Sequence, residues 1–191
     1  MGKLDGNRPP AGARRVALVA TGGAPAAKAL LADIVEALPV YAGLAGVAAP
    51  DVVRVAPGHA GADCDATLLV LGAEGSPELG GLAPGTRAYA LLCLEGRGPA
   101  DAGEALLGVR RACTEEGLSW QGGLVVSGAE HLPRLMRTPR MGWARRRVSE
   151  ATDRLLMALL AGRPLPPQLA RPSRLATVAA GLCAMMARAT R

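Results

Sequence analysis

Five short runs of almost uninterrupted apolar residues occur along the chain, separated by glycine-rich turns and by stretches with helical periodicity. Such runs are typical of strands covered on both faces, because a strand with one face in water alternates apolar and polar residues. Strands that alternate with helices favour parallel pairing. The predicted strands are 16–20, 51–56, 66–72, 87–96 and 122–128. The sequence therefore predicts an α/β fold in which helices cover both faces of a five-stranded parallel sheet.

The 191 residues are expected to form one compact unit, since a domain commonly contains roughly 100–200 residues. We expect a flexible leader at residues 1–13, the α/β domain at 14–163 and a proline-linked amphipathic extension at 164–191. In the extension, apolar residues recur at helical spacing. They are Leu175, Val178, Leu182 and Met185. This apolar face can dock on its own domain, on a second subunit or on a membrane surface, in that order of preference.

The formal net charge is +6, and arginines are concentrated in the last third of the chain. From His131 onward, Glu150 and Asp153 are the only acidic residues. This segment can contact phosphates, an anionic membrane surface or an acidic partner, or the arginines at 134–147 can form a solvated helix face. Nucleic acid is not favoured, because Trp143 is the one aromatic residue among these arginines and bases need aromatic side chains for stacking.

No stable membrane insertion is expected, because the apolar stretch at 176–187 is shorter than the about 20 residues that span a bilayer. Four cysteines without CxxC spacing and only two histidines do not favour a metal site or a disulfide framework. We therefore expect reduced thiols in a cytoplasmic protein. Neither His59 nor His131 has the neighbours of a catalytic triad, so no catalytic side chain is assigned.

Glycine-rich turns follow three of the predicted strands, at 21–28 (TGGAPAAK), 72–81 (GAEGSPELGG) and 95–98 (EGRG). If the sheet is parallel, these turns share one edge, where open α/β sheets bind ligands. The first turn also begins a helix, whose backbone N–H groups favour phosphate. Its spacing matches neither GxGxxG nor GxxxxGK[ST]. The alternative is that the three turns are tight connections after strands and bind no ligand.

Residues 113–190 resemble the C-terminal part of flavodoxin-like proteins in the NAD(P)H-dependent FMN reductase family. The resemblance rests on GLSWQGG (117–123), on PRMG (139–142) and on the amphipathic helix that ends at Gly162. It implies the strand order 2-1-3-4-5, with FMN at the switch point between strands 1 and 3. It also implies NAD(P)H as electron donor, and we expect a homo-oligomer, most simply a homodimer.

The resemblance places the FMN phosphate in the first turn and the flavin ring between the other two. The phosphate loop is then Thr21, Gly22, Gly23, Ala24, Pro25 and Ala26, and the ring loops are Gly72, Ala73, Glu74, Gly75, Ser76 and Glu95, Gly96, Arg97, Gly98. This phosphate loop has a single hydroxyl, and no aromatic residue is placed to stack on the ring. The sequence therefore predicts an oxidoreductase with weakened flavin binding, or a flavin-free interaction module that uses its basic C-terminal helices.

Overall fold

Six parallel strands form one sheet in the computed structural model, which describes residues 13–56, 63–72, 79–96 and 100–179. The strand order is β2-β1-β3-β4-β5-β6, and every neighbouring pair is parallel. The strands are β1 (Arg15–Thr21), β2 (Asp51–Val55), β3 (Ala66–Gly72), β4 (Arg87–Leu94), β5 (Ser119–Ser127) and β6 (Gln168–Ala170). The predicted parallel α/β sheet is confirmed. The fold is a flavodoxin-like three-layer sandwich with a sixth strand beyond the five predicted.

Helices cover both faces of the sheet. The helices are α1 (Pro25–Leu44), α2 (Asp101–Glu115), α3 (Leu132–Leu135) and α4 (Arg146–Ala161), with a 3-10 turn at Ala129–His131. Within the described residues, α1, α3 and α4 pack on one face and α2 packs on the other. Alternate residues of β1 show this division, since Val16 points into the α1 core and Ala17 into the α2 core. No helix in these ranges is both long and apolar enough to cross a membrane.

The glycine pair of β5 lets two other segments approach the sheet. Gly122 has a φ of +121°, lies where the register with β4 shifts, and has no room for a Cβ against the carbonyl of Leu165. A Cβ on Gly123 would lie 2.8 Å from Cδ1 of Leu106 on α2. Trp120, expected just before the strand, lies within it and packs half-buried against the α2 core.

The sixth strand comes from the stretch expected as an extension. Leu165 donates its backbone N–H to the carbonyl of Gln121 at 2.7 Å and so leads the chain into β6 beside β5. Residues 174–179 are helical, and Ala176 is buried against Leu135 and Ala144. The rest of the expected extension, which includes Leu182 and Met185, lies outside the described residues, as do residues 1–12 of the expected leader.

Candidate functional site

The carboxyl ends of β1 and β3 form the switch point of the sheet. The chain leaves β1 through α1 toward β2, whereas β3 pairs with the opposite side of β1. The end of β3 lies against the loop that follows β1, because a Cβ on Gly72 would lie 2.9 Å from the Cβ of Ala24. Gly22 has a φ of +78°, and a Cβ there would lie 3.8 Å from the backbone nitrogen of Gly72. The structure thus brings the predicted phosphate loop, Thr21 to Ala26, beside the start of the second predicted loop.

The N-terminus of α1 lacks the groups that usually satisfy a helix start. Its N-cap residue, Ala24, offers no side-chain hydrogen bond, and no acidic residue lies in the first turn. The α2 helix also lacks a side-chain cap, but its first turn contains Asp101 and Glu104. Unpaired backbone N–H groups and the helix dipole favour an anion at such an end. The start of the 20-residue α1 helix, at the switch point, therefore has neither a side-chain cap nor a first-turn carboxylate.

Thr21 is the last residue of β1 and is only 6% exposed. Its Oγ1 is buried and has no hydrogen-bond partner among the described residues. A buried polar group without a partner commonly costs about 1–3 kcal/mol of stability. The hydroxyl at the end of β1 therefore has an unused capacity to form a hydrogen bond.

A third turn reaches the same edge after β4. Gly96 has a φ of +64° and donates its backbone N–H to Oε2 of Glu130 at 3.2 Å. Glu130 lies in the 3-10 turn that follows β5, and Ser127, the last residue of β5, is buried. The turns after β4 and β5 are therefore joined. The sequence reasoning missed Glu130 and Ser127, although SGAE directly follows an apolar run, as the three other turns do.

The predicted ring loops are only partly within the described residues. Gly72, Glu95 and Gly96 are described, and each lies at the carboxyl end of its strand. Ala73, Glu74, Gly75, Ser76, Arg97 and Gly98 lie outside the described residues, as does His59. Lys28, which the sequence reasoning did not select, is exposed in the first turn of α1. Its ammonium adds a positive charge near the predicted phosphate loop.

Acidic partners within the domain engage several arginines of the 134–147 segment. Arg140 bridges Asp33 of α1 and Asp153 of α4, and it lies 5.8 Å from the ring centroid of Tyr41. Burial and the hydrogen bond to Asp153 raise the pKa of Tyr41. Arg145 is buried and also contacts Asp33. These two arginines stabilise the packing of α1 and are not available to a partner.

Glu150 pairs with the arginine that lies four residues before it on α4. Its Oε1 accepts a hydrogen bond from Arg146 at 2.7 Å, which leaves Arg154, also four residues away, without this partner.

In the described ranges, no group of three or more His, Cys, Asp or Glu side chains is suited to a metal ion. Cys64, Cys93 and Cys113 are free and buried.

The fold and the switch point together define a flavodoxin-like α/β protein. Comparison with protein-family models, with curated proteins and with solved structures finds no match for this chain.

Proposed function

We propose that the chain binds FMN weakly at the β1–β3 switch point and acts as an NAD(P)H-dependent oxidoreductase of the FMN reductase type. One observation carries the proposal. The buried Thr21 hydroxyl, which lacks a partner in the described ranges, stands beside a helix start with neither a side-chain cap nor an acidic residue. Both features leave hydrogen-bond donors for a phosphate group.

The residues present fit the phosphate of FMN in this position. Thr21 would donate its hydroxyl, and the backbone N–H groups of Gly22, Gly23 and Ala26 would supply further hydrogen bonds. Pro25 has no N–H, so the loop offers fewer donors than its length suggests. Bound flavin would supply the hydride chemistry, while the chain anchors the phosphate and orients the ring. With one side-chain hydroxyl in the loop, weak binding is the expected result.

An assay of flavin reduction with a charge variant tests this proposal. Under anaerobic conditions, the protein is expected to accelerate the loss of FMN visible absorbance with NADH or NADPH. Pro25→Glu places a carboxylate at the exposed first residue of α1. There it interacts favourably with the helix dipole but repels phosphate. Ala32→Glu adds the same charge at an exposed position farther along α1.

We expect Pro25→Glu to abolish the acceleration and Ala32→Glu to retain it. No acceleration by the unmodified protein, or equal loss in both variants, would contradict the proposal.

A cytoplasmic location and a homo-oligomer belong to the same proposal. Free, buried thiols such as Cys93 and Cys113 suit a reducing compartment. On α1, Val40 and Leu44 are 61% and 76% exposed and lie four residues apart, which gives a second copy an apolar surface to contact. Light scattering of the purified protein tests the oligomer, and a monomer at working concentration would contradict it.

The second candidate is a flavin-free interaction module that uses the basic C-terminal region. One observation favours it. Arg147, Arg154, Arg171 and Arg174 are exposed, and no hydrogen bond or ion pair joins them to other side chains in the described ranges. This candidate predicts normal folding with no affinity for FMN.

A further inference from the structure

Four arginines and three exposed apolar residues form one continuous surface near β6, which we call the β6 face. Its apolar residues are Trp143, Leu169 and Leu175. Its arginines are Arg147, Arg154, Arg171 and Arg174. Two adjoining grooves of about 330 and 380 Å³ share Arg147 and Arg171, so the surface is continuous.

The positive charge of the β6 face is not compensated within the described part of the chain. Among the described residues that line the two grooves, Glu150 is the only one with a carboxylate, and it accepts a hydrogen bond from Arg146. The neighbouring Arg140 and Arg145, by contrast, are paired with aspartates. The β6 face therefore presents four guanidinium groups to an anionic partner.

The apolar side chains of the β6 face project into solvent. Trp143 is 67% exposed and Leu175 is 75% exposed. The helical residues 174–179 pack on the domain through Ala176, which leaves Leu175 and Val178 together on an outer face. In residues 174–179, the apolar face expected from the sequence therefore points away from the domain.

We propose that the β6 face binds the surface of bilayers that contain anionic phospholipids. Guanidinium groups pair with lipid phosphates, while interleaved indole and leucine side chains enter the region between headgroups. Single-stranded nucleic acid fits this surface less well, because successive bases need several aromatic side chains and Trp143 is the only one here. The strands β4 and β5 separate β6 from β3, so the β6 face is distinct from the switch point.

Vesicle sedimentation with the full chain tests the proposal. We expect binding to vesicles of phosphatidylcholine mixed with phosphatidylglycerol and none to phosphatidylcholine alone. Arg171→Gln with Arg174→Gln removes two charges and should lower the partition coefficient about thirtyfold, at about fivefold for each arginine near the surface. The control is Arg110→Gln with Arg111→Gln, which removes the same charge from exposed positions on α2. It should retain binding.

The apolar contribution is tested separately. In a Trp120→Phe background, the emission of Trp143 should shift to shorter wavelength with anionic vesicles, and Leu175→Ser should weaken binding more than Leu107→Ser on α2. The proposal is overturned if anionic vesicles are not bound, if both arginine pairs have equal effects, or if Trp143 emission is unchanged. Binding to a single-stranded oligonucleotide in place of vesicles would also overturn it.

Discussion

Arg145 donates from Nη1 to Oδ1 of Asp33 at 2.9 Å, and this contact joins two segments more than 100 residues apart in sequence. Asp33 also contacts Arg140, which reaches Asp153 on α4. Arg145 donates from Nε to the carbonyl of Thr138 at 3.2 Å as well. A single carboxylate on α1 thus fixes the irregular segment that precedes α4.

Asp33→Asn should lower the free energy of unfolding by roughly 3 kcal/mol, because it leaves buried guanidinium charge without its carboxylate. The matched control is Glu36→Gln, at an exposed position three residues along α1, which should change stability by less than about 0.5 kcal/mol. Denaturant unfolding of both variants measures the difference. Equal changes in the free energy of unfolding would contradict a stabilising role for the Asp33 contacts.

Tyr89→Phe should destabilise the protein by about 1–2 kcal/mol. The buried Tyr89 hydroxyl lies 3.2 Å from the carbonyl of Ala158 and 2.9 Å from that of Arg163, and its single hydrogen is shared between them, so it joins β4 to the end of α4. Removing the hydroxyl leaves both carbonyls without this donor while retaining the ring. Denaturant unfolding measures the change, and an unchanged midpoint and slope would contradict the role of the hydroxyl.

Gly122→Ala should be strongly destabilising, by several kcal/mol, because the new methyl group overlaps the Leu165 carbonyl and requires a φ that alanine avoids. Gly108→Ala is the control, since a Cβ there meets nothing within 4 Å and alanine favours the helix. This control should be stabilising by about 0.5–1 kcal/mol. Thermal unfolding distinguishes the two, and a neutral Gly122→Ala would contradict the close approach of Leu165 to β5.

The protein should lose stability at alkaline pH. Burial raises the pKa of Cys93 and of Cys113 from 9.0 to about 12, and burial raises that of Tyr89 from 10.0 to about 12. Above pH 9.0 the unfolded chain releases protons that the folded chain retains, so stability falls as pH rises toward about 12. Unfolding measured across this range should show the decline, and Cys93→Ala should make it shallower. Constant stability over the range would contradict the burial of these groups.

Four of the five predicted strands were recognisable as runs of apolar residues that are largely buried, as 66–72 illustrates, whereas the edge strand β2 is only partly buried. The short strand β6 has no such run, and its pairing depends on the distant contact between Leu165 and Gln121. Local spacing could not reveal that Asp33 pairs with Arg140 and Arg145. The switch point followed from strand order, whereas the unpartnered state of the Thr21 hydroxyl depends on packing. The residue pattern within one segment predicts a helix or a strand. Contacts between distant segments determine which polar groups remain without a partner.

The most direct test of the proposed site compares FMN with riboflavin, which lacks the phosphate, by fluorescence titration of the unmodified protein and Thr21→Val. We expect FMN to bind at least about tenfold more tightly than riboflavin. Loss of the hydroxyl should weaken FMN binding by roughly ten- to a hundredfold, leave riboflavin binding unchanged and raise stability by removing an unpaired buried group. Equal affinities for FMN and riboflavin, or an FMN affinity unchanged by Thr21→Val, would contradict a phosphate site at the β1–β3 switch point.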